Sequence, residues 1–181
     1  MTHFRLHEIA PRPPGSKQVH VVIDTPKGSH NKYKYDEKLG LFRLSRILPA
    51  GMQFPYDFGS VPRTRAEDGD ALDVLVLMDA PTFPGCLIAA RLIGVIRAKQ
   101  TQDRKTVRND RLIAVAETAV NRPEIRDIAE LDGSRLKEIE HFFAAYNRAH
   151  RRTFTPTGRL GPDAAERLLE KAMRAFARSG R

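Results

Sequence analysis

The stretch EDGDALDVLVLM, residues 67–78, joins an acidic turn directly to an apolar strand. Upstream of it, VHVVIDT (residues 19–25) is a β-branched run that ends in the turn Pro26-Lys27-Gly28, and this pattern predicts another strand. Short runs of Val, Ile, Leu or aromatic residues predict strands at 32–35, 41–48, 73–78, 87–96 and 112–116. Turn-forming residues separate these runs, and no helical period lies between them. The sequence therefore favours an antiparallel, closed or nearly closed sheet, such as a small barrel.

Helical periodicity begins only after residue 120. In residues 134–150, apolar side chains recur at helical spacing, at Leu136, Ile139, Phe142, Phe143, Tyr146 and Ala149. Gly161-Pro162-Asp163 opens a second such run, which continues through Phe176. Two amphipathic helices are therefore expected to pack on the barrel, with Tyr146 placed to carry its hydroxyl toward a site. The fold class expected is α+β, mainly β, as a single domain over residues 1–181, with the barrel at about 19–120 and the helices at about 134–178.

The composition is typical of a globular protein. The apolar fraction of 41% supports a packed core, and no stretch approaches the roughly 20 consecutive apolar residues that a membrane helix needs. The first residues lack the apolar segment of a secretory signal, so a cytoplasmic location is expected. The single cysteine, Cys86, follows a Pro-Gly turn and has no partner for an internal disulfide. A buried structural thiol is expected there.

The chain carries 31 Lys and Arg residues against 22 Asp and Glu residues, a formal charge of +9. Such an excess favours anionic partners, either phosphates or nucleic acid. Much of the excess lies in residues 97–111 and in the C-terminal helices, where basic residues commonly form a solvated face. A site for single-stranded nucleic acid also uses exposed aromatic residues among the basic ones, and no such alternation is obvious. Nucleic acid is therefore the less favoured partner.

Three carboxylates, those of Asp68, Asp70 and Asp73, lie within six residues of the acidic turn. A hard divalent cation relieves their mutual repulsion, and Mg²⁺ suits a few carboxylates beside a rigid strand because it keeps several of its waters. The alternative is purely structural, since aspartates in Asp-Gly turns often bond their own backbone. Lys32 and Arg46 lie on or beside predicted strands and are either phosphate ligands or surface charges.

Other catalytic signatures are absent from the sequence. The six histidines form neither an HExxH motif nor a close pair with cysteine, which disfavours a zinc site. No GxSxG, GxxxxGK[ST] or GxGxxG motif occurs, which disfavours a nucleophilic serine and a nucleotide-binding loop.

Six segments together resemble the soluble inorganic pyrophosphatases of the barrel type, called family I. They are NKYKYD (31–36), LFRLSRILPAGMQFPYDFGSVP (41–62), EDGDALDVLVL (67–77), PGCLIAARLIGVI (84–96), NDRLIAVA (109–116) and HFFAAYN (141–147). The family signature is aspartate, glycine, aspartate, two residues and aspartate, followed by a valine-rich strand, and residues 68–74 match it intact. The similarity covers roughly residues 19–150.

The resemblance implies a five-stranded OB-like closed barrel flanked by the C-terminal helices. It also implies Mg²⁺-dependent hydrolysis of inorganic pyrophosphate to two phosphates by a metal-activated water, several bound Mg²⁺ ions, and a homo-oligomer that is a trimer or a hexamer. By motif position, Asp68 and Asp73 are metal ligands, and Asp70 is both a ligand and the general base. The side chains implied to hold phosphate oxygens are those of Lys32, Arg46, Arg111 and Tyr146, and Arg111 stands where the family has a lysine.

Four departures from the family pattern lie in the first half of the chain. The glutamate that ends the first strand is here Asp24, which is one methylene shorter and remains a candidate metal ligand. An acidic position two residues after the lysine is here Lys34, a reversal of charge. Two tyrosines are here Phe54 and Phe58, which keep the rings and lose the hydroxyls.

Further departures lie beyond residue 99. Two aspartates of the family are here Gln100 and Asn109, and the lysine after the helix tyrosine is Asn147. Asp103 and Asp110 are close enough in sequence to substitute, and Asp110 is the candidate metal ligand. In a strand that keeps its register, however, Asp110 points to the opposite side from its neighbour. With fewer carboxylates and one extra lysine, the site is expected to bind fewer Mg²⁺ ions than the family norm, or to bind them more weakly.

The leading interpretation is thus an inorganic diphosphatase whose partner is pyrophosphate or a related small phosphate. Two alternatives remain open at this stage. One is a weakly active or inactive phosphate-binding protein on the same scaffold. The other is a hydrolase of a different phosphoanhydride, such as a nucleotide, in which Lys34 and Arg111 serve a larger anion.

Overall fold

The computed structural model describes residues 5–121 and 124–179. Residues 1–4, 122–123 and 180–181, which belong to the single domain expected from the sequence, lie outside the described residues. The strands are β1 (Val19–Thr25), β2 (Asn31–Asp36), β3 (Leu41–Ile47), β4 (Asp57–Val61), β5 (Leu72–Leu77), β6 (Leu87–Gln102), β7 (Lys105–Arg108), β8 (Arg111–Ala116) and β9 (Thr153–Leu160). The helices are α1 (Gly133–Ala149) and α2 (Pro162–Arg178).

Five strands close into a ring. Their order is β1-β4-β5-β8-β6, and β6 pairs again with β1. The long strand β6 can take part in several pairings because its 16 residues extend past the ring, where it also pairs with β7 and β9. The predicted α+β fold, a five-stranded closed barrel flanked by C-terminal helices, is confirmed.

One pairing in the ring differs from the antiparallel sheet expected. β5 and β8 run parallel, with Val74 opposite Leu112. A parallel pair needs a long connection between its strands, and here the chain supplies it by running out along β6 and back through β7. This connection places the start of β8 beside the start of β5, next to the acidic turn.

The hairpin of β2 and β3 forms a separate two-stranded sheet beside the ring. Lys32 lies opposite Arg46, and an irregularity in register follows Lys32. The hairpin therefore holds two of the predicted phosphate ligands side by side on neighbouring strands.

Both helices begin with favourable chemistry at their N-termini. The Asp132 carboxylate accepts a hydrogen bond from the Ser134 backbone N–H at the start of α1, and Pro162 occupies the first turn of α2. The apolar face of α1 buries Leu136, Ile139 and Phe143. No helix within the described residues is long and apolar enough to cross a membrane.

Three strands were not predicted from the sequence. β4 has the sequence DFGSV. Its Asp57 is buried, and the carboxylate accepts hydrogen bonds from Lys27 N and from Thr82 N and Oγ1. β9 contains Pro156 and Gly158, two residues that count against a strand. β7 has only four residues. In each case pairing within the sheet overrides a weak local signal.

Gly59 lies where β4 passes very close to β1. A Cβ at this position would lie 2.2 Å from the Val22 carbonyl oxygen and 2.9 Å from Ile23 Cα. Because both obstacles are backbone atoms of a barrel strand, Gly59→Ala must displace the pairing itself. We expect its free energy of unfolding to fall by about 3 kcal/mol, measured by urea denaturation.

Gly133→Ala is the matched control, since a Cβ there would meet no atom of a packing neighbour within 4 Å in the part of the chain that the structure describes. It replaces glycine at the start of α1 and is expected to leave stability unchanged or slightly raised. Equal denaturation midpoints for the two variants would contradict the close packing of β1 and β4.

Candidate active site

A cavity of about 470 Å³ lies between the barrel, the β2–β3 hairpin and α1. Eight of the nine predicted site residues line it, namely Asp24, Lys32, Arg46, Asp68, Asp70, Asp73, Arg111 and Tyr146. They come from parts of the chain more than 120 residues apart. The barrel closure, the hairpin and the docking of α1 together build one polar site.

The acidic turn supports both sequence interpretations of its aspartates. Gly69 has a φ of 92°, a conformation that favours glycine, and the Asp70 N–H donates to Asp68 Oδ1 at 3.2 Å. The Asp68 carboxylate thus bonds its own turn while it also faces the cavity. Burial is the largest cause that raises the pKa of Asp68, and the charge of Asp73 adds to it.

Asp24 and Lys32 form the most enclosed ion pair of the site. Lys32 Nζ lies 3.7 Å from Asp24 Oδ2. Burial raises the pKa of Asp24 to about 6, although the charge of Lys32 opposes the rise. Burial likewise lowers the pKa of Lys32, against the pull of Asp24. A divalent cation near Asp24 would therefore favour its ionised form.

Two phenylalanines explain how the buried ammonium group is held. Lys32 Nζ lies 4.1 Å from the centre of the Phe58 ring and 5.6 Å from that of Phe54. The faces of aromatic rings attract cations, so these rings stabilise the lysine without a hydroxyl. Phe54 also packs edge-on against Phe142, with ring centres 5.1 Å apart, which anchors this wall of the cavity to α1.

Arg111 is the most buried cation of the site, with 6% of its side chain exposed. Its Nη1 lies 2.7 Å from Asp73 Oδ2 and also donates to the side-chain oxygen of Asn109. Asn109 in turn donates from Nδ2 to Gln100 Oε1 at 3.1 Å. The two amides expected from the sequence thus form a neutral chain that orients Arg111. The guanidinium carbon also lies 4.9 Å from the centre of the Phe143 ring.

Lys34 pairs directly with the predicted general base. Its Nζ lies 3.2 Å from Asp70 Oδ1 and 3.3 Å from Oδ2. Both side chains are more than half exposed, at 56% and 67%, so the pair is mobile enough to part at little cost. The Lys34 ammonium group therefore occupies the position from which a metal cation could bind the Asp70 carboxylate.

Asp110 does not join the site. Its carboxylate accepts hydrogen bonds from Ala98 N at 3.0 Å and from Arg108 Nε at 2.6 Å, and it lines a different hollow beside α2. Side chains alternate along an extended strand. Since Arg111 faces the cavity, Asp110 faces away, and the structure does not bring it together with the other predicted metal ligands.

Tyr146 carries its hydroxyl to the cavity from the last turns of α1. Burial raises the pKa of Tyr146, while the charges of Arg46 and Arg152 and a hydrogen bond from Arg46 oppose the rise. The next residue, Asn147, is 1% exposed and donates from Nδ2 to the Phe143 carbonyl at 2.8 Å. The Asn147 side chain therefore bonds to the backbone of α1, and as a neutral amide it adds no charge to the cavity.

Arg152 lines the cavity and was not predicted from the sequence to be a site residue. It follows α1 in the run Arg148, Ala149, His150, Arg151, Arg152, where the helical period ends. The basic residues were evident in the sequence. Helical periodicity does not predict which of them faces the cavity, because Arg152 lies beyond the end of α1.

The site combines acidic and basic groups in pairs. Asp24, Asp70 and Asp73 each contact a different cation, from Lys32, Lys34 and Arg111. Among the described residues, no group of three or more His, Cys, Asp or Glu side chains is already gathered as a metal-binding cluster. Such a site can take up an oxygen-liganded cation through a few carboxylates and an anion through the basic groups.

The comparisons with known proteins agree with this arrangement. A family model described as inorganic pyrophosphatase matches residues 21–177. The inorganic pyrophosphatase of Synechocystis sp. is 36% identical over 92% of this chain and 96% of its own length, and that of Geobacillus stearothermophilus is 37% identical over 89% and 95%. The crystal structure of inorganic pyrophosphatase from Thermus thermophilus superimposes with a TM-score of 0.87 and 30% identity, covering 96% of this chain and 99% of that one. The resemblance seen in the sequence is therefore confirmed, and the chain belongs to the inorganic pyrophosphatase family.

Proposed function

We propose that this chain hydrolyses inorganic pyrophosphate to two phosphates with the help of Mg²⁺. The observation that carries the proposal is the alternation of aspartates and basic side chains around one cavity of about 470 Å³. A substrate with two phosphoryl groups and an accompanying cation needs both kinds of group within reach. Membership of the family gives the reaction.

The donor set of the cavity fits a hard cation. Asp68, Asp70, Asp73 and Asp24 offer carboxylate oxygens. Among the described residues, no His or Cys side chain, the kind of ligand typical of zinc or copper, lines the cavity. Mg²⁺ needs only one or two carboxylates because it keeps several waters. When bound, it lowers the pKa of a coordinated water and offsets the charge of the phosphates.

The proposed roles of the side chains follow from their positions. Asp70 accepts the proton of the attacking water, since its carboxylate is exposed to the cavity and can leave Lys34. Lys32 and Arg46 lie opposite each other on the hairpin and hold oxygens of the same substrate. Arg111 presents a planar fork, which suits phosphate oxygens. When Arg111 binds phosphate oxygens, the carboxylate of Asp73, with which it pairs in this structure, can bind the cation.

The proposed number of Mg²⁺ ions remains below the family norm. The two amides of Gln100 and Asn109 already satisfy each other and Arg111. A neutral amide oxygen also binds a divalent cation less strongly than a carboxylate does, because it carries no net charge. Asp68, Asp70 and Asp73 are the proposed ligands, and Asp24 lies at the edge of the set.

Lys34 is expected to weaken the binding of Mg²⁺ at Asp70, because its ammonium group contacts the same carboxylate. Lys34→Ala removes the cation that contacts Asp70 at 3.2 Å, so Mg²⁺ no longer competes with it. A like charge a few ångströms away costs on the order of 1 kcal/mol in a solvated site, and we expect Mg²⁺ to bind about fivefold more tightly. Isothermal titration of the substrate-free protein measures this directly.

Lys38→Ala serves as the control, since Lys38 is an exposed lysine at the tip of the same hairpin. It removes the same charge away from the aspartates and is expected to change the affinity little. An unchanged affinity in Lys34→Ala would mean that Mg²⁺ does not bind at Asp70.

A homo-oligomer of three or six copies stays a prediction. The exposed apolar residues of β3 support it, because Leu41, Leu44 and Ile47 are each more than half exposed. Exposed apolar groups of this size commonly mark a contact surface.

A substrate panel tests the proposed function. Pyrophosphate, tripolyphosphate, ATP and a phosphomonoester are each incubated with the protein and Mg²⁺, and phosphate release is followed. We expect pyrophosphate to be the preferred substrate. Preference for ATP would favour the nucleotide alternative, and binding of phosphate without release from any substrate would favour the inactive one.

A further inference from the structure

We infer that Arg152 is a further substrate-binding residue, which forms an anion subsite with Arg46 and Tyr146 at the α1 side of the cavity. The ligand of this subsite is one phosphoryl group of the substrate. The inference rests on the proposed function for the identity of that substrate, but its evidence is separate. None of the sequence motifs includes this residue.

The first observation is the position of Arg152. Its backbone N–H donates to the Asn147 carbonyl at 3.0 Å, so the chain turns back against the end of α1 instead of running on into solvent. Phe154, two residues later, is buried at 4% exposure and packs against Phe143, with ring centres 5.5 Å apart. The segment is therefore fixed on both sides, and Arg152 lines the cavity with Arg46 and Tyr146.

The second observation is the missing counter-charge. Lys32, Lys34 and Arg111 each contact an aspartate. Within residues 5–121 and 124–179, neither Arg46 nor Arg152 forms an ion pair with a carboxylate. The buried Nε of Arg152 has no hydrogen-bond partner among the described residues. Arg152 therefore brings to the cavity a positive charge that no carboxylate of the described residues compensates, and an anion in the cavity would compensate it.

The third observation is the chemistry around the Tyr146 hydroxyl. Arg46, Tyr146 and Arg152 line the same cavity, and the charges of both arginines oppose the rise that burial causes in the pKa of Tyr146. Two planar forks and one phenol together offer several N–H and O–H donors. A phosphoryl group, with three acceptor oxygens and more than one negative charge, matches such a donor set better than a neutral ligand does.

Neighbouring residues do not provide the same charge. Arg148 and Arg151 are exposed, and the amide of Asn147 is committed to α1 through its bond to the Phe143 carbonyl. Arg152 is therefore the basic group by which the segment after α1 reaches the substrate.

The test compares Arg152→Ala with Arg148→Ala, which removes the same charge from an exposed position in the last turn of α1. The binding of methylenediphosphonate, which cannot be hydrolysed at its bridging carbon, is measured by calorimetry at a fixed Mg²⁺ concentration. Loss of a hydrogen-bonded charged group predicts at least about tenfold weaker binding for Arg152→Ala. Binding by Arg148→Ala should stay within about twofold of the unmodified chain, a shift of about 0.4 kcal/mol.

Kinetics on the full chain provide a second readout. We expect the KM for pyrophosphate to rise in Arg152→Ala by a similar factor, while Arg152→Lys retains part of the affinity because it keeps the charge and loses the fork. Circular dichroism confirms that each variant is folded, and Arg152→Lys alone carries the comparison if the alanine variant is not.

The outcomes separate the two proposals. Unchanged diphosphonate binding in both Arg152 variants, or no diphosphonate binding by the unmodified chain, would overturn the subsite. Binding that depends on Arg152 in a chain that does not hydrolyse pyrophosphate would support the subsite and reject the proposed function.

Discussion

Asp70→Asn is expected to lower Mg²⁺-dependent phosphate release from pyrophosphate by about 100-fold to 10,000-fold. The amide has nearly the shape of the carboxylate but cannot accept the proton of the attacking water. The side chain is 67% exposed, so the substitution should leave folding unaffected. Initial rates at saturating pyrophosphate and Mg²⁺ measure the effect.

Glu67→Gln is the matched control for this variant. Glu67 is the neighbouring acid of the same turn, but its carboxylate contacts Lys171 at 3.3 Å, away from the cavity. It should retain nearly full activity. Comparable rates in Asp70→Asn and Glu67→Gln would remove Asp70 from the proton-accepting role.

Asp73→Ala is expected to combine a catalytic loss with a structural one. It removes a proposed Mg²⁺ ligand and leaves Arg111, whose side chain is 6% exposed, without its carboxylate partner at 2.7 Å. Breaking one side of an enclosed ion pair leaves an uncompensated charge, and we expect the free energy of unfolding to fall by about 3 kcal/mol. Activity should fall by at least about 100-fold, on the scale of other losses of preorganised charge.

The double variant Asp73→Ala with Arg111→Met separates these two effects. With both charges removed, much of the stability should return, while activity should not. Urea denaturation and phosphate release are measured on the same preparations. If Asp73→Ala alone is as stable as the unmodified chain, Asp73 does not compensate the charge of Arg111.

Much of the fold was predictable because apolar runs and turn residues alternate along the first half of the chain. The residues VHVVIDT and DVLVLM became β1 and β5, and the two periodic segments became α1 and α2. The parallel pairing of β5 with β8 was not predictable, because it depends on how far β6 extends before the chain returns. β9 was missed because Pro156 and Gly158 weaken its local signal.

The candidate site was largely predictable because its acidic turn is a compact motif and its basic residues lie at recognisable positions. Asp110 lies apart from the other predicted ligands, because the strand register that turns Arg111 toward the cavity turns Asp110 away from it. The sequence could identify Asn109 as an amide but not its bonds to Gln100 and Arg111. Arg152 was missed because its approach to the cavity depends on the turn after α1, which joins Arg152 N to the Asn147 carbonyl.

Phosphate release from pyrophosphate by the purified chain, followed as Mg²⁺ is titrated, is the decisive experiment for the proposed reaction. We expect two phosphates released for each pyrophosphate consumed, a rate that rises with Mg²⁺ to a plateau, and no release when a chelator removes the cation. A folded chain that binds phosphate but releases none from pyrophosphate at any Mg²⁺ concentration would contradict the proposed reaction.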